Sequence, residues 1–159
     1  MRNAEVLAAR IRQESGELQR AIDRALGLLE KAESRGELDL LDGVALNLHS
    51  FYAGVERIFE DIAQEIDGAV PQGADWHRKL LVQMAAEVRD TRPAVISRAT
   101  YQCLDEYLRF RHVVRNAYTF NLRPERVEEL TQELHPCHAR LRQELDSFAH
   151  FLEELGAAL

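Results

Sequence analysis

An all-α fold, an antiparallel up-and-down bundle of four longer helices and a shorter one, is what this sequence predicts. Three observations carry that reading. Apolar residues recur every three or four positions over long stretches, the repeat of a helix with one buried face. No run of alternating apolar and polar residues lasts long enough to suggest a sheet. The breaks between the periodic stretches coincide with glycine and proline. At 159 residues the chain fits a single domain spanning 1–159, long enough to bury about two-thirds of its unfolded surface.

The first helix is expected from about Asn3 to Arg35, where Ile11, Leu18, Ile22, Leu26 and Leu29 form the stripe. Gly16 and Gly27 each weaken it by about 1 kcal/mol relative to alanine, so a local bend is expected there. Gly36 reads as the residue that closes it. The second helix spans about Asp39 to Asp67, with Val44, Leu48, Phe51, Val55, Ile58, Ile62 and Ile66 on its apolar face. Two helices of that length across a short turn pack as an antiparallel hairpin. Residues 68–73 are a loop by composition, and Asp75 is expected to cap a third, shorter helix. Trp76, Leu80, Leu81, Met84 and Val88 are its expected core residues. Pro93 marks the next break, and a fourth helix is expected over about Ala94–Phe120. Pro124 suits the first position of the last helix, with Glu125, Glu128 and Glu129 complementing its dipole. That helix is expected to reach about Leu155, kinked at Pro136, burying Leu141, Leu145, Phe148 and Leu152.

Charge is distributed unevenly. A net charge of −7 argues against indiscriminate nucleic-acid binding over the whole surface. Yet Arg98, Arg109, Arg111, Arg115, Arg123 and Arg126 face only Asp105, Glu106 and Glu125 in the same stretch, an excess of three positive charges. Acidic residues of the first and last helices, such as Glu14, Glu17, Glu144, Glu153 and Glu154, read as a solvated face. Cys103 and Cys137 lack a spacing motif and fit two free thiols in a reducing cytosol. The charged N-terminal stretch is unlike a signal peptide, and no run approaches the roughly 20 apolar residues a membrane helix needs. A cytoplasmic location without membrane contact is expected.

Several chemistries lack their residues. No glycine-rich phosphate loop occurs, and none of the six histidines has glutamate three residues before it, as a di-iron bundle requires. His135, Cys137 and His138 match no standard zinc spacing. His49 and His150 read as partly buried structural histidines, and Trp76 as core. No metal and no cofactor are expected.

What remains is the stretch from Tyr107 to Leu122, YLRFRHVVRNAYTFNL. At about 100° per residue Arg111, Arg115 and Tyr118 share one helical face. Phe110, Val113, Val114, Ala117 and Phe120 gather on the other and read as the core-facing stripe. Closely spaced guanidiniums repel, so their face is expected at the surface, paired with carboxylates or offered to a polyanion such as an RNA backbone.

Arg111-x4-Asn116-x-Tyr118 resembles the R-x4-H-x-Y motif of HepT-like toxins, of the HEPN superfamily of helical ribonucleases. The likeness extends to Phe51–Gly68 and to Trp76-His77-Arg78. It departs where the family histidine is Asn116. The resemblance implies a HEPN-like bundle and metal-independent RNA cleavage at a composite site between two protomers of a homodimer. On it, Arg111, His112 and Asn116 are the candidate catalytic residues. Arg111 would stabilise the phosphate; His112, four residues before Asn116, would stand in for the proton carrier that an amide cannot be. Arg109 and Arg115 would bind RNA. The resemblance also implies a partner, a minimal-type nucleotidyltransferase antitoxin that silences the toxin by AMPylating Tyr118, as in type VII-like pairs. The alternative implied by Asn116 is a noncatalytic helical module that partners a nucleotidyltransferase.

Overall fold

The computed structural model describes residues 2–116 and 122–158 and is all-α, as expected. Its helices are α1 (Arg2–Arg35), α2 (Leu40–Ile62), α3 (Trp76–Met84), α4 (Arg98–Asn116) and α5 (Pro124–Ala158). No strand forms among the described residues; Val88 and Arg92 make one isolated antiparallel bridge. Gly36, at φ 65°, ends α1 in the left-handed conformation that costs glycine least. Beyond Ile62 the second helix continues as a π-helical turn over Ala63–Asp67 and closes on Gly68 at φ 68°.

Cross-helix pairs establish the directions. Arg10 reaches Asp61 and Glu65 on one side of α1, while Arg12 reaches Asp146 and Glu153 on the other. With Leu18 against Gly54 and Leu28 against Gly43, and with Ser15 at His138, numbers fall on the partner as they rise on α1, so both α2 and α5 run antiparallel to it. α4 likewise runs against α5, since Ser97 meets Glu144, Cys103 meets Cys137 and Tyr107 meets Leu130. The core sits between them. Ile11, Ile22, Val44, Leu48, Phe51, Val55, Ile58, Ile62, Leu141, Leu145 and Leu152 are all buried. Phe51 meets the Tyr107 ring edge-on, with centroids 5.4 Å apart.

Several expectations need correction. Asp75 does not cap α3 with its side chain; its Oδ1 pairs with Lys79 Nζ at 3.2 Å, and its backbone carbonyl accepts from Arg78 and Lys79. Val88 lies beyond α3, in the bridged turn whose tip, Asp90, takes φ 58°. Trp76 is only partly buried, stacked on His77 at 3.7 Å. α4 begins four residues later than Ala94 because the Val95 and Ile96 amides both donate to the Met84 carbonyl, tying that segment to the end of α3. Helix starts instead at Ser97, whose Oγ accepts from the Thr100 amide at 3.2 Å.

Glu144 leaves the solvated face assigned to it. Its Oε1 accepts from the Ser97 amide at 2.8 Å, and its Oε2 from Ser97 Oγ and Thr100 Oγ1 at 2.7 and 3.0 Å. Glu153 is paired with Arg12, and half-buried Glu14 has its carboxyl pushed up by desolvation. His150 is exposed, 3.2 Å from Glu154, not partly buried. Cys103 and Cys137 are not free thiols: a disulfide joins α4 to α5. α5 continues through Pro136; the carbonyl one turn back, on exposed Gln132, can turn to water for the hydrogen bond that proline lacks.

Candidate nucleic-acid interface

α4 carries the predicted site, and its inner face explains how the outer one is held. Leu104, Tyr107, Leu108 and Phe110 are buried, and the Tyr107 hydroxyl donates to the Leu130 carbonyl at 2.7 Å. Val113, expected in the core stripe, is 47% exposed, whereas Val114 packs against the core. Ala117 and Phe120 lie outside the described residues.

Of the predicted site residues, Arg111 is half-buried and His112 and Arg109 are exposed. Arg115 and Asn116 form the last turn of α4, and their side chains lie outside what is described; so does Tyr118 altogether. Spacing alone puts Asp105, Arg109, His112 and Asn116 on one stripe, at i, i+4, i+7 and i+11.

Around this stripe the fold gathers residues that motif reasoning missed. Asp105, itself buried, takes Arg78 Nη1 on Oδ1 at 2.5 Å and Arg109 Nε on Oδ2 at 3.1 Å. This hydrogen bond pushes the Arg78 guanidinium further toward its charged form. Beside it, buried Glu56 of α2 accepts from or donates to His77 Nδ1 at 2.7 Å, according to which group holds the proton. Tyr52 is buried, and burial together with the fields of Glu56 and Asp105 pushes its hydroxyl well above the ordinary tyrosine range. Arg78 and Arg111 act on the same hydroxyl in the opposite sense. A signal for Asp105 was present in its i,i+4 spacing to Arg109, and for Glu56 in being an acid set among Phe51, Tyr52, Val55, Ile58 and Phe59.

The described site residues form a charged surface. A groove of about 580 Å³ does occur in the molecule, but α1 and α5 alone line it. No cluster of three or more potential metal ligands exists among the described residues. The two guanidiniums held on Asp105 can hold a phosphodiester and stabilise added negative charge on it.

Fold and site together define a helical bundle that displays a cationic helix face. The family described as HepT-like protein matches residues 43–152, more than half of the chain, and takes in α3, α4 and nearly all of α2 and α5. The chain belongs to the HepT-like family of the HEPN superfamily. Membership supports a toxin-like function of the HEPN type and, in general terms, a toxin–antitoxin partnership. No curated protein and no solved structure matches the chain.

Proposed function

We propose that this HepT-like chain is the toxin of a type VII-like pair and cleaves RNA without a metal ion, at a site composed from two protomers. The observation that carries this reading is the placing of half-buried Arg111 and exposed His112 on α4 of a family member, a helix that also carries Arg109 and the buried carboxylate that holds it and Arg78. In the reaction the ribose 2′-oxygen bonds to the adjacent phosphorus and the bond to the 5′-oxygen breaks, leaving a 2′,3′-cyclic phosphate. Arg111 stabilises the charge that builds on the phosphorane oxygens. His112 moves a proton between the 2′-hydroxyl and the departing 5′-oxygen. Asn116 contributes hydrogen bonds only, and Arg109 and Arg115 hold the flanking backbone. Single-stranded RNA incubated in EDTA tests this: the wild type should yield cyclic-phosphate ends, and Arg111→Ala and His112→Ala should each abolish them at unchanged melting temperature.

One observation favours a second reading. Asn116 stands where the family motif has histidine, which fits a noncatalytic module partnering a nucleotidyltransferase. An inert wild type together with an active Asn116→His variant selects that reading. The regulatory partner in the first reading is a minimal-type nucleotidyltransferase antitoxin that AMPylates Tyr118, setting a phosphate and an adenine where RNA would bind. After co-expression with that enzyme, AMP-sized mass increments should appear and vanish in Tyr118→Phe; increments that persist in the variant contradict the assignment. We place the protein in the cytoplasm, alongside its RNA, where thiol reductants act on the Cys103–Cys137 bond.

A further inference from the structure

We infer that Arg78 of α3 and Arg109 of α4, clamped together by Asp105, form a second phosphate subsite for the RNA backbone, apart from Arg111. The inference rests on the RNA-binding part of the proposed function and adds to it a residue from a different helix. Three observations support it.

The clamp is asymmetric in burial. The Asp105 side chain is 11% exposed, whereas those of Arg78 and Arg109 are 44% and 66% exposed. A shielded carboxylate therefore fixes two guanidiniums whose outer parts remain in water. Donors are left over: each guanidinium has five N–H groups, and Asp105 engages one nitrogen of each. Charge is left over as well, since two cations against one anion leave a net positive charge, which is what a phosphodiester requires.

Stability does not account for the arrangement. Ion pairs with this much solvent access contribute about 0–1 kcal/mol, and α3 is already seated by buried Leu80, Leu81 and Met84. Preorganisation accounts for it better, because holding two flexible side chains in place beforehand removes an ordering cost from binding.

The test is binding of 2′-O-methyl pentauridylate, which has four internucleotide phosphates and cannot be cleaved, followed by fluorescence anisotropy across a salt series. Arg78→Gln and Arg109→Gln should each weaken binding about tenfold near 0.1 M salt. Each should also flatten the dependence of log Kd on log salt by about 0.7, the value of one single-strand phosphate contact. Arg24→Gln, the same charge change at an exposed site on α1, should stay within twofold. Arg78→Lys, which keeps the charge but not the fork, should retain the salt slope while losing part of the affinity. Losses of equal size in Arg24→Gln and Arg78→Gln would show a general field and overturn the subsite, as would a wild-type salt slope in both Arg78→Gln and Arg109→Gln. A wild type that binds the oligonucleotide but cleaves no RNA sinks the ribonuclease reading and leaves the subsite standing; one that binds no RNA sinks both.

Discussion

Arg92 is the residue on which the junction between α3 and α4 turns. Its side chain is fully buried, and it donates to both oxygens of Asp67, at 2.5 and 2.8 Å, and to the carbonyls of Gln83, Ala86 and Pro93. Removing one partner of such a pair strands a charge away from water, so Arg92→Met should lower unfolding free energy by about 3–5 kcal/mol in urea titrations. Adding Asp67→Leu should recover part of that loss. His138 makes a prediction of another kind. Burial holds its pKa below the ordinary histidine value, against the opposing effect of its contact with the Ser15 carbonyl, while Arg142 and His135 lower it further. Through the histidine range the unfolded chain therefore binds more protons than the folded one. Stability should fall as pH drops below about 6.5 and level off once the folded imidazole also takes a proton. His138→Gln should flatten that limb in urea midpoints measured from pH 7 to 5. None of this was legible in sequence, because Arg92 and His138 are polar types whose burial is decided by the elements around them.

At the scale of elements, reading by periodicity succeeded where one face is uniformly apolar. The α2 stripe from Val44 to Ile62 is buried throughout, and the closing roles of Gly36 and Gly68 and the start at Pro124 follow from local backbone chemistry. It failed where a distant residue supplies the missing partner. Ser97 is a local capping signal, but the partner that fixes the cap is Glu144, 47 positions away. Glu144→Ala should cost about 1–3 kcal/mol and lower hydrogen-exchange protection first in the opening turn of α4. Gln is the informative contrast, since it keeps acceptor oxygen but loses the charge. The disulfide was equally hidden, because Cys103 and Cys137 are 34 residues apart with no spacing signature. Cys103→Ser/Cys137→Ser should lose about 2–4 kcal/mol relative to the oxidised protein and match the wild type held in reductant. An equal midpoint for oxidised and reduced wild type would mean that the bond contributes nothing.

For the whole molecule, the class of fold was legible throughout, and the candidate site in part. The candidates Arg111 and His112 came from the resemblance of one short motif, whereas Arg78, Asp105, Glu56 and His77 come together only through the packing of α2, α3 and α4. A composite site requires a second copy of α4, and isologous pairing is the commonest way to supply one. Sedimentation at micromolar concentration should therefore give about twice the 18.2 kDa chain mass. A monomer at high concentration, without a partner protein to provide the second motif, would remove the basis for a shared cleft.

The fastenings of α4 have a mechanical consequence. Glu144 at Ser97, the disulfide at Cys103, the Tyr107 hydroxyl and buried Phe110 grip the helix along 13 residues, about 20 Å of its length. Only six residues, about 9 Å, project from the last grip to Asn116. Treated as a rigid beam pivoting at Phe110, a sideways shift of about 1 Å at Ser97 moves the tip by about half as much, close to the tolerance of a working site. The long grip thus acts as a reducing lever. Damage at the far end of α4 should show up as lost stability well before it shows up as a misaimed motif.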